Sequence, residues 1–155
     1  MRISKTPPIN EAGIVTGMML FMLAIFTVVA VAAAVISIIE MQIASNDQYS
    51  KTAFYSAEAA RSYVPTQLNL YGAENTIKDS ALNFPNGNDA SEKTAIGANQ
   101  KFNGDVMFLG SSVPPRGSGY EVGTFNAHRY QMTCNGYGPR KSTSRIEAGF
   151  YRIGL

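Results

Sequence analysis

From Ile14 to Ile39 the chain carries no formal charge and few polar side chains. As a helix rising about 1.5 Å per residue, such a run covers roughly 39 Å, more than the ~30 Å hydrocarbon core of a bilayer. A core helix of a soluble domain would keep a polar stripe over that length. The pattern changes after Ile39. In "EMQIASNDQYSKTAFYSAEAARSYV", Ile39, Ile43, Phe54, Ala57, Val64 and Leu68 recur near one helical face, while Glu40, Asp47, Lys51, Glu58 and Arg61 fall largely elsewhere. No glycine or proline interrupts Met18 to Arg61. The pattern therefore predicts one helix of about fifty residues, apolar all round in its first half and amphipathic in its second. Pro65 should bend or end it, with Gly72 as a terminator.

Turn formers dominate from Tyr71 to Gly119: "NFPNGNDASEK", "KFNGD" and "LGSSVPPRGSG". Asn-Gly at 86–87 and 103–104 and the Pro114-Pro115 pair mark loops. "DVMFLG" is a short apolar strand candidate, and alternation improves in "YEVGTF", "AHRYQMTCNGYG" and "SRIEAGFYRI". Val122, Tyr130, Met132, Cys134, Ile146, Phe150 and Ile153 are the expected inward positions, with Asn135 to Ser144 as a long basic hairpin loop. Three to five antiparallel strands would give the amphipathic helix a surface to bury against, an α+β arrangement. The expected division is a leader over 1–13, a transmembrane half-helix over 14–39, an amphipathic half over 40–71 and a β-sheet head over 72–155.

The net charge of +2 is too weak to argue for nucleic acid. Its distribution says more. Residues 40–115 carry five Lys/Arg against eight Asp/Glu, and residues 116–155 carry six against two. That split suits head-to-tail packing of like subunits, as it suits an ordinary solvated surface. Cys134 is the single cysteine, so it forms no internal disulfide and specifies no redox compartment. Arg2 and Lys5 precede the apolar run, which places the N-terminus in the cytoplasm and the bulk of the chain outside.

Three readings compete for the apolar run. A cleavable secretory signal would use Ala30, Ala32 and Ala34 as a small-residue cleavage site. Yet the chain stays apolar through Val35, Ile36, Ile38 and Ile39, where a signal should turn polar. A plain membrane anchor explains the length and not the organisation around it. The third reading gives Gly13 a purpose: at the boundary of the polar leader, a residue without Cβ lets backbone lie against an enzyme cleft.

The leader ending at Gly13, the apolar helix from Ile14 and "AFYSAEAARSYV" at 53–64 resemble type IV pilin-like proteins, in particular minor pilins of the PilX N-terminal family. The resemblance covers roughly residues 9–68. "SRIEAGFYRIGL" is also similar to the closing strand of such proteins, with less specificity. The resemblance implies that a prepilin peptidase cuts after Gly13 and methylates the new amine of Ile14. It implies an inner-membrane precursor with its C-terminal domain in the periplasm, drawn by an assembly platform into a cell-surface pilus among other pilin subunits. Ala30, Ala32, Ala33, Ala34, Phe54 and Ala57 would serve helix packing in that assembly. Major pilins carry glutamate at the fifth mature position, where it pairs with a neighbour's amine; here that position is Met18. A buried, unpaired ammonium costs on the order of several kcal/mol. The departure therefore points to a minor subunit that initiates or caps a filament. The alternative is a single-pass anchored periplasmic binding domain that never assembles.

No catalytic constellation stands out, and no cofactor or metal is expected. His128 is the single histidine and reads as a strand surface residue. "PNGNDASE" gathers Asn86, Asn88, Asp89 and Glu92 without EF-hand spacing. The glycines of "GSSVPPRGSG" precede no helix, against a phosphate loop. Arg140, Lys141 and Arg145 interleave with Tyr120, Tyr130, Tyr137 and Tyr151, a composition that serves single-stranded DNA. Cross-strand aromatic pairing explains the tyrosines equally well.

Overall fold

The structure, a computed structural model, describes residues 11–72 and 75–154. The basic leader residues Arg2 and Lys5 lie outside this range. The chain divides into two compact units, Met1–Ser45 and Asn46–Leu155.

One helix, α1, runs Glu11–Tyr63. Within the first unit its side chains from Gly13 to Ala44 are all exposed. The helix is stable there because it satisfies its own backbone, and Thr27 also returns its hydroxyl to the Ala24 carbonyl at 2.7 Å. Its last turns belong to the second unit. They carry the ion pairs Lys51–Asp47 and Arg61–Glu58, at 2.6 and 2.8 Å. Pro65 supplies no N–H and the chain tightens into 3₁₀ turns at Val64–Thr66 and Leu68–Leu70. Thr66 caps the Tyr63 carbonyl at 2.7 Å. Gly72 sits so close that a Cβ there would lie 2.6 Å from the Leu68 carbonyl oxygen.

The second unit is an α+β head. Five antiparallel strands form one sheet: β1 (Ala81–Phe84), β2 (Thr94–Gly97), β3 (Gln100–Ser112), β4 (Asn126–Tyr137) and β5 (Thr143–Gly154). The order is β1-β3-β4-β5, and β2 pairs with the start of β3. The register aligns Phe102, Gly104, Val106 and Phe108 of β3 with Gly136, Cys134, Met132 and Tyr130 of β4, and these with Ser144, Ile146, Ala148 and Phe150 of β5. That face meets the helix: Ala60, Val64, Phe84, Phe102, Val106, Tyr130, Met132 and Cys134 are all buried in one core. Tyr130, Met132, Cys134, Ile146 and Phe150 thus point as the alternation predicts.

Three sequence expectations give way. Asn103-Gly104 is a strand interior and not a turn. Gly104 lies beneath the Phe84 ring, where a Cβ would clash, and Asn103 donates to the Ala90 carbonyl at 2.8 Å while accepting from Tyr137. These tertiary partners override the local turn preference. "YEVGTF" forms no extended strand: Val122 is exposed and makes a single bridge to Phe125, while Tyr120 packs edge-on to Phe125. The β4–β5 connection is also tighter than expected, spanning Gly138 to Ser142.

Candidate assembly surface

The apolar half of α1 offers side chains on every face. Ile14, Met18, Leu20, Phe21 and Phe26 are each more than 60% exposed. Val15, Met18, Met19, Met22, Leu23 and Phe26 together line an apolar hollow on its surface. At roughly 100° per residue, Ala30, Ala33 and Ala34 share one face with Thr27 and Ser37, whereas Ala32 points the other way. The predicted alanine cluster is therefore a three-residue strip with Ala32 outside it. Gly13 and Gly17 have open space where a Cβ would stand. Met18 is two-thirds exposed and, as a methionine, brings no carboxylate to that position.

The second half of the helix separates the two remaining candidates. Ala53, Ser56, Ala57, Ala60 and Val64 are fully buried, a stripe at i, i+3, i+4, i+7 and i+11. Phe54 lies off that stripe, 46% exposed, and packs edge-to-face on exposed Tyr55 at 6.0 Å. The expected apolar face is thus displaced: Ala53 and Ala60 are inside, whereas Ile43, Phe54 and Leu68 face outward. Close approach explains the preference for alanine. A Cβ at Gly136 would run into the Ala53 carbonyl and the Ala57 amide, and one at Gly138 would meet the Ala53 nitrogen at 3.1 Å. Large side chains have no room in that seam, and Phe54 lies outside it, half exposed.

A clasp at the β4–β5 turn completes the seam. Arg140 and Lys141 both take positive φ, and Ser142 donates to the Tyr49 carbonyl at 2.9 Å. The Arg140 guanidinium stands over the Tyr49 ring at 5.4 Å. Ala53, Tyr55, Gly136 and this clasp escaped the sequence reading. The glycine in "CNGYG" was the available signal, because glycine inside a strand marks close backbone approach.

The other candidates are dispersed or engaged. Tyr130 is buried and donates to the Tyr71 carbonyl at 2.9 Å. Tyr137 lies beneath Lys93, and Arg145 pairs with Glu147 at 2.7 Å. Tyr120 precedes β4 and Arg140 follows it, so the strand's length of roughly 40 Å lies between them. The predicted basic and aromatic residues therefore divide, with Tyr137, Arg140, Lys141 and Arg145 near the β4–β5 turn and Tyr120 beyond the far end of β4. In the 86–92 loop, Asp89 accepts from the Ser91 amide and hydroxyl, which hold its carboxyl below the usual range, and Glu92 accepts from Asn86. Both carboxylates are thus met by donors of their own loop. His128 bonds Ser111 at 2.8 Å. Cys134 is fully buried, and burial pushes its thiol up to about 11.

No curated protein and no solved structure matches this chain. The family model described as PilX N-terminal matches residues 12–60, the apolar half of α1 and most of its alanine stripe. Over residues 12–60, less than half of its length, the chain is similar to the PilX N-terminal family.

Proposed function

We propose that this chain is a minor pilin-like structural subunit of a type IV pilus or related filament. It is made with a leader that a prepilin peptidase removes after Gly13, methylating Ile14. It waits in the inner membrane with the head in the periplasm, and an assembly platform then moves it into the filament among other pilin subunits. The observation that carries this reading is the change of character along α1: exposed and apolar to Ile39, then buried on an alanine stripe under its own sheet. Lipid satisfies the first half before assembly, and neighbouring helices satisfy it afterwards. Ala30, Ala33 and Ala34 allow the close approach, and Phe54 is the head-level contact. Ala57 is already covered within the head and supports the subunit from inside. The chain does no chemistry of its own.

Met18 supports a position that starts or caps the filament, because a subunit without that carboxylate cannot neutralise an amine above it. Mass spectrometry of the mature N-terminus tests the processing step. A methylated Ile14 is expected; an intact leader in cells with active peptidase would instead indicate a permanently anchored periplasmic domain. Purified filaments built mainly of this chain would refute the initiating or capping role.

A further inference from the structure

The two edges of the head's sheet are built differently. On one side β1 and β2 have four residues each, Pro85 follows β1, and the β2 register slips between Ala95 and Gly97. Short strands, proline and bulges are devices that stop a sheet edge from pairing further. On the other side β5 has none of them. Its twelve residues, Thr143–Gly154, pair with β4 without a break in register and include no proline and no lysine.

The ladder shows which backbone groups of β5 are free. Phe108 of β3 turns its N–H and C=O to the segment before β1, donating to the Ser80 carbonyl and accepting from the Asp79 amide. Bonding direction alternates along an antiparallel ladder, so Asn103, Asp105 and Met107 bond to β4. Their partners Asn135, Thr133 and Gln131 point back at them, which leaves Cys134, Met132 and Tyr130 to bond Ile146, Ala148 and Phe150 of β5. Arg145, Glu147, Gly149 and Tyr151 therefore direct their N–H and C=O groups away from the sheet. Among the described residues no loop or helix backbone bonds them.

The side chains at this edge define what fits it. On the core face, Ile146, Ala148 and Phe150 pack against the core and are only half-buried. A hollow of about 270 Å³ lies beside Phe150, lined in part by Val64, Pro65 and Arg152. Arg152 is exposed, and among the described residues no carboxylate stands within ion-pair reach of it.

We propose that β5 is a docking edge for an extended segment of another protein, which joins the sheet as one further antiparallel strand. Main-chain bonds to Arg145, Glu147, Gly149 and Tyr151 hold it, and its alternate side chains give selectivity. Opposite Arg152 it carries a carboxylate. Opposite Phe150, Ala148 and Ile146 it carries apolar side chains that complete their burial. Read from its N-terminus, the segment is acid-x-apolar-x-apolar-x-apolar. A helix would leave the free backbone groups unmatched, because its own are spent within it. A second copy paired β5 to β5 cannot supply the acid: the core-face residues Ser144, Ile146, Ala148, Phe150 and Arg152 include no carboxylate. The two-fold rotation of that pairing would also reverse the last turns of α1 between the copies. The edge is open whether or not the chain enters a filament, so its test is separate from that reading.

The test uses the full chain, isotope-labelled in detergent micelles and titrated with blocked heptapeptides under NMR. In the free chain the Glu147 and Gly149 amides should exchange with solvent faster than those of Ala148 and Phe150. The peptide ETVTVKV should slow the Glu147 and Gly149 amides. ETTKVVV, of the same composition without the alternation, should bind about tenfold more weakly. N-methylation of the fourth and sixth peptide residues removes the N–H groups that face Gly149 and Glu147, and should cost about tenfold in affinity. N-methylation of the third and fifth should leave affinity unchanged. Arg152→Gln should lower affinity about fivefold with an unchanged melting temperature, since the side chain is exposed. Equal binding of the two sequences, or indifference to which amides are methylated, would overturn the proposal. So would an Arg152→Gln variant that binds as the original does. Glu147 and Gly149 amides already protected in a chain that runs as a dimer would give the edge to a second copy and overturn it too.

Discussion

Gly136→Ala adds one methyl group at the seam between α1 and β4, and its cost follows from what that methyl meets. The new Cβ would press on the Ala53 carbonyl and the Ala57 amide and would lie 2.9 Å from the α-carbon of Ala57. The first two are the ends of one i→i+4 helical hydrogen bond, so backbone has to move rather than a side chain. Separating the methyl from that α-carbon alone needs about 0.5 Å, and the other two atoms need more. A gap of ~0.5–1 Å forfeits a quarter to a half of the dispersion attraction across it. Ala53, Ser56, Ala57, Ala60 and Val64 share this seam and are all buried, so the loss extends beyond one pair. Overpacking typically costs about 1–3 kcal/mol, and a rigid backbone neighbour puts this site at the upper end, about 3 kcal/mol. That is a large share of the ~5–15 kcal/mol that holds a domain together. It corresponds to a fall of roughly 10 °C in the head's melting temperature. The chain has eight tyrosines and no tryptophan, so near-ultraviolet circular dichroism of the full chain in detergent follows the tyrosine cluster. Gly87→Ala, where nothing lies within 4 Å, is the comparison and should stay within about 0.5 kcal/mol. A Gly136→Ala variant as stable as Gly87→Ala would refute the close-approach argument.

Phe54 and Ala57 share one helical face in the sequence pattern but differ in burial, Ala57 inside the seam and Phe54 half exposed beside it. Phe54→Ala should leave head stability within about 0.5 kcal/mol and reduce incorporation into filaments, whereas Ala57→Leu should destabilise the head by about 3 kcal/mol by overfilling a fully buried site; comparable destabilisation by both would show the face to be misassigned. Cys134 gives a pH prediction. Burial first, then the charges of Asp105 and Glu58, raise its folded pKa to about 11 from an ordinary 9.0, with Arg61 opposing. The unfolded thiol loses its proton first as pH rises, so this contribution to stability is intact below pH 9 and is lost between about 9 and 11. Urea titrations across that window should show a steeper loss for the original chain than for Cys134→Ala, and parallel slopes would exclude the linkage.

Much of this protein was legible along the chain because it rests on one-dimensional properties. The uncharged length from Ile14 to Ile39, the absence of breakers up to Arg61 and the stop at Pro65 each act through local backbone or solvent, and α1 follows them. The alternation of β4 and β5 likewise predicted Tyr130, Met132, Cys134, Ile146 and Phe150 inside, because period two is a property of the strand itself. Which helical face is buried was not local. Ala, Ser and Gly carry little hydrophobic signal, and the helix lies on its alanine stripe because Gly136 and Gly138 let two backbones approach. That distance exists only once the sheet has formed. The same holds for Asn103-Gly104, a turn by preference and a strand by virtue of Phe84, Ala90 and Tyr137 packed around it. The place of β5 at an open edge is likewise a matter of strand order, which no single-strand pattern encodes.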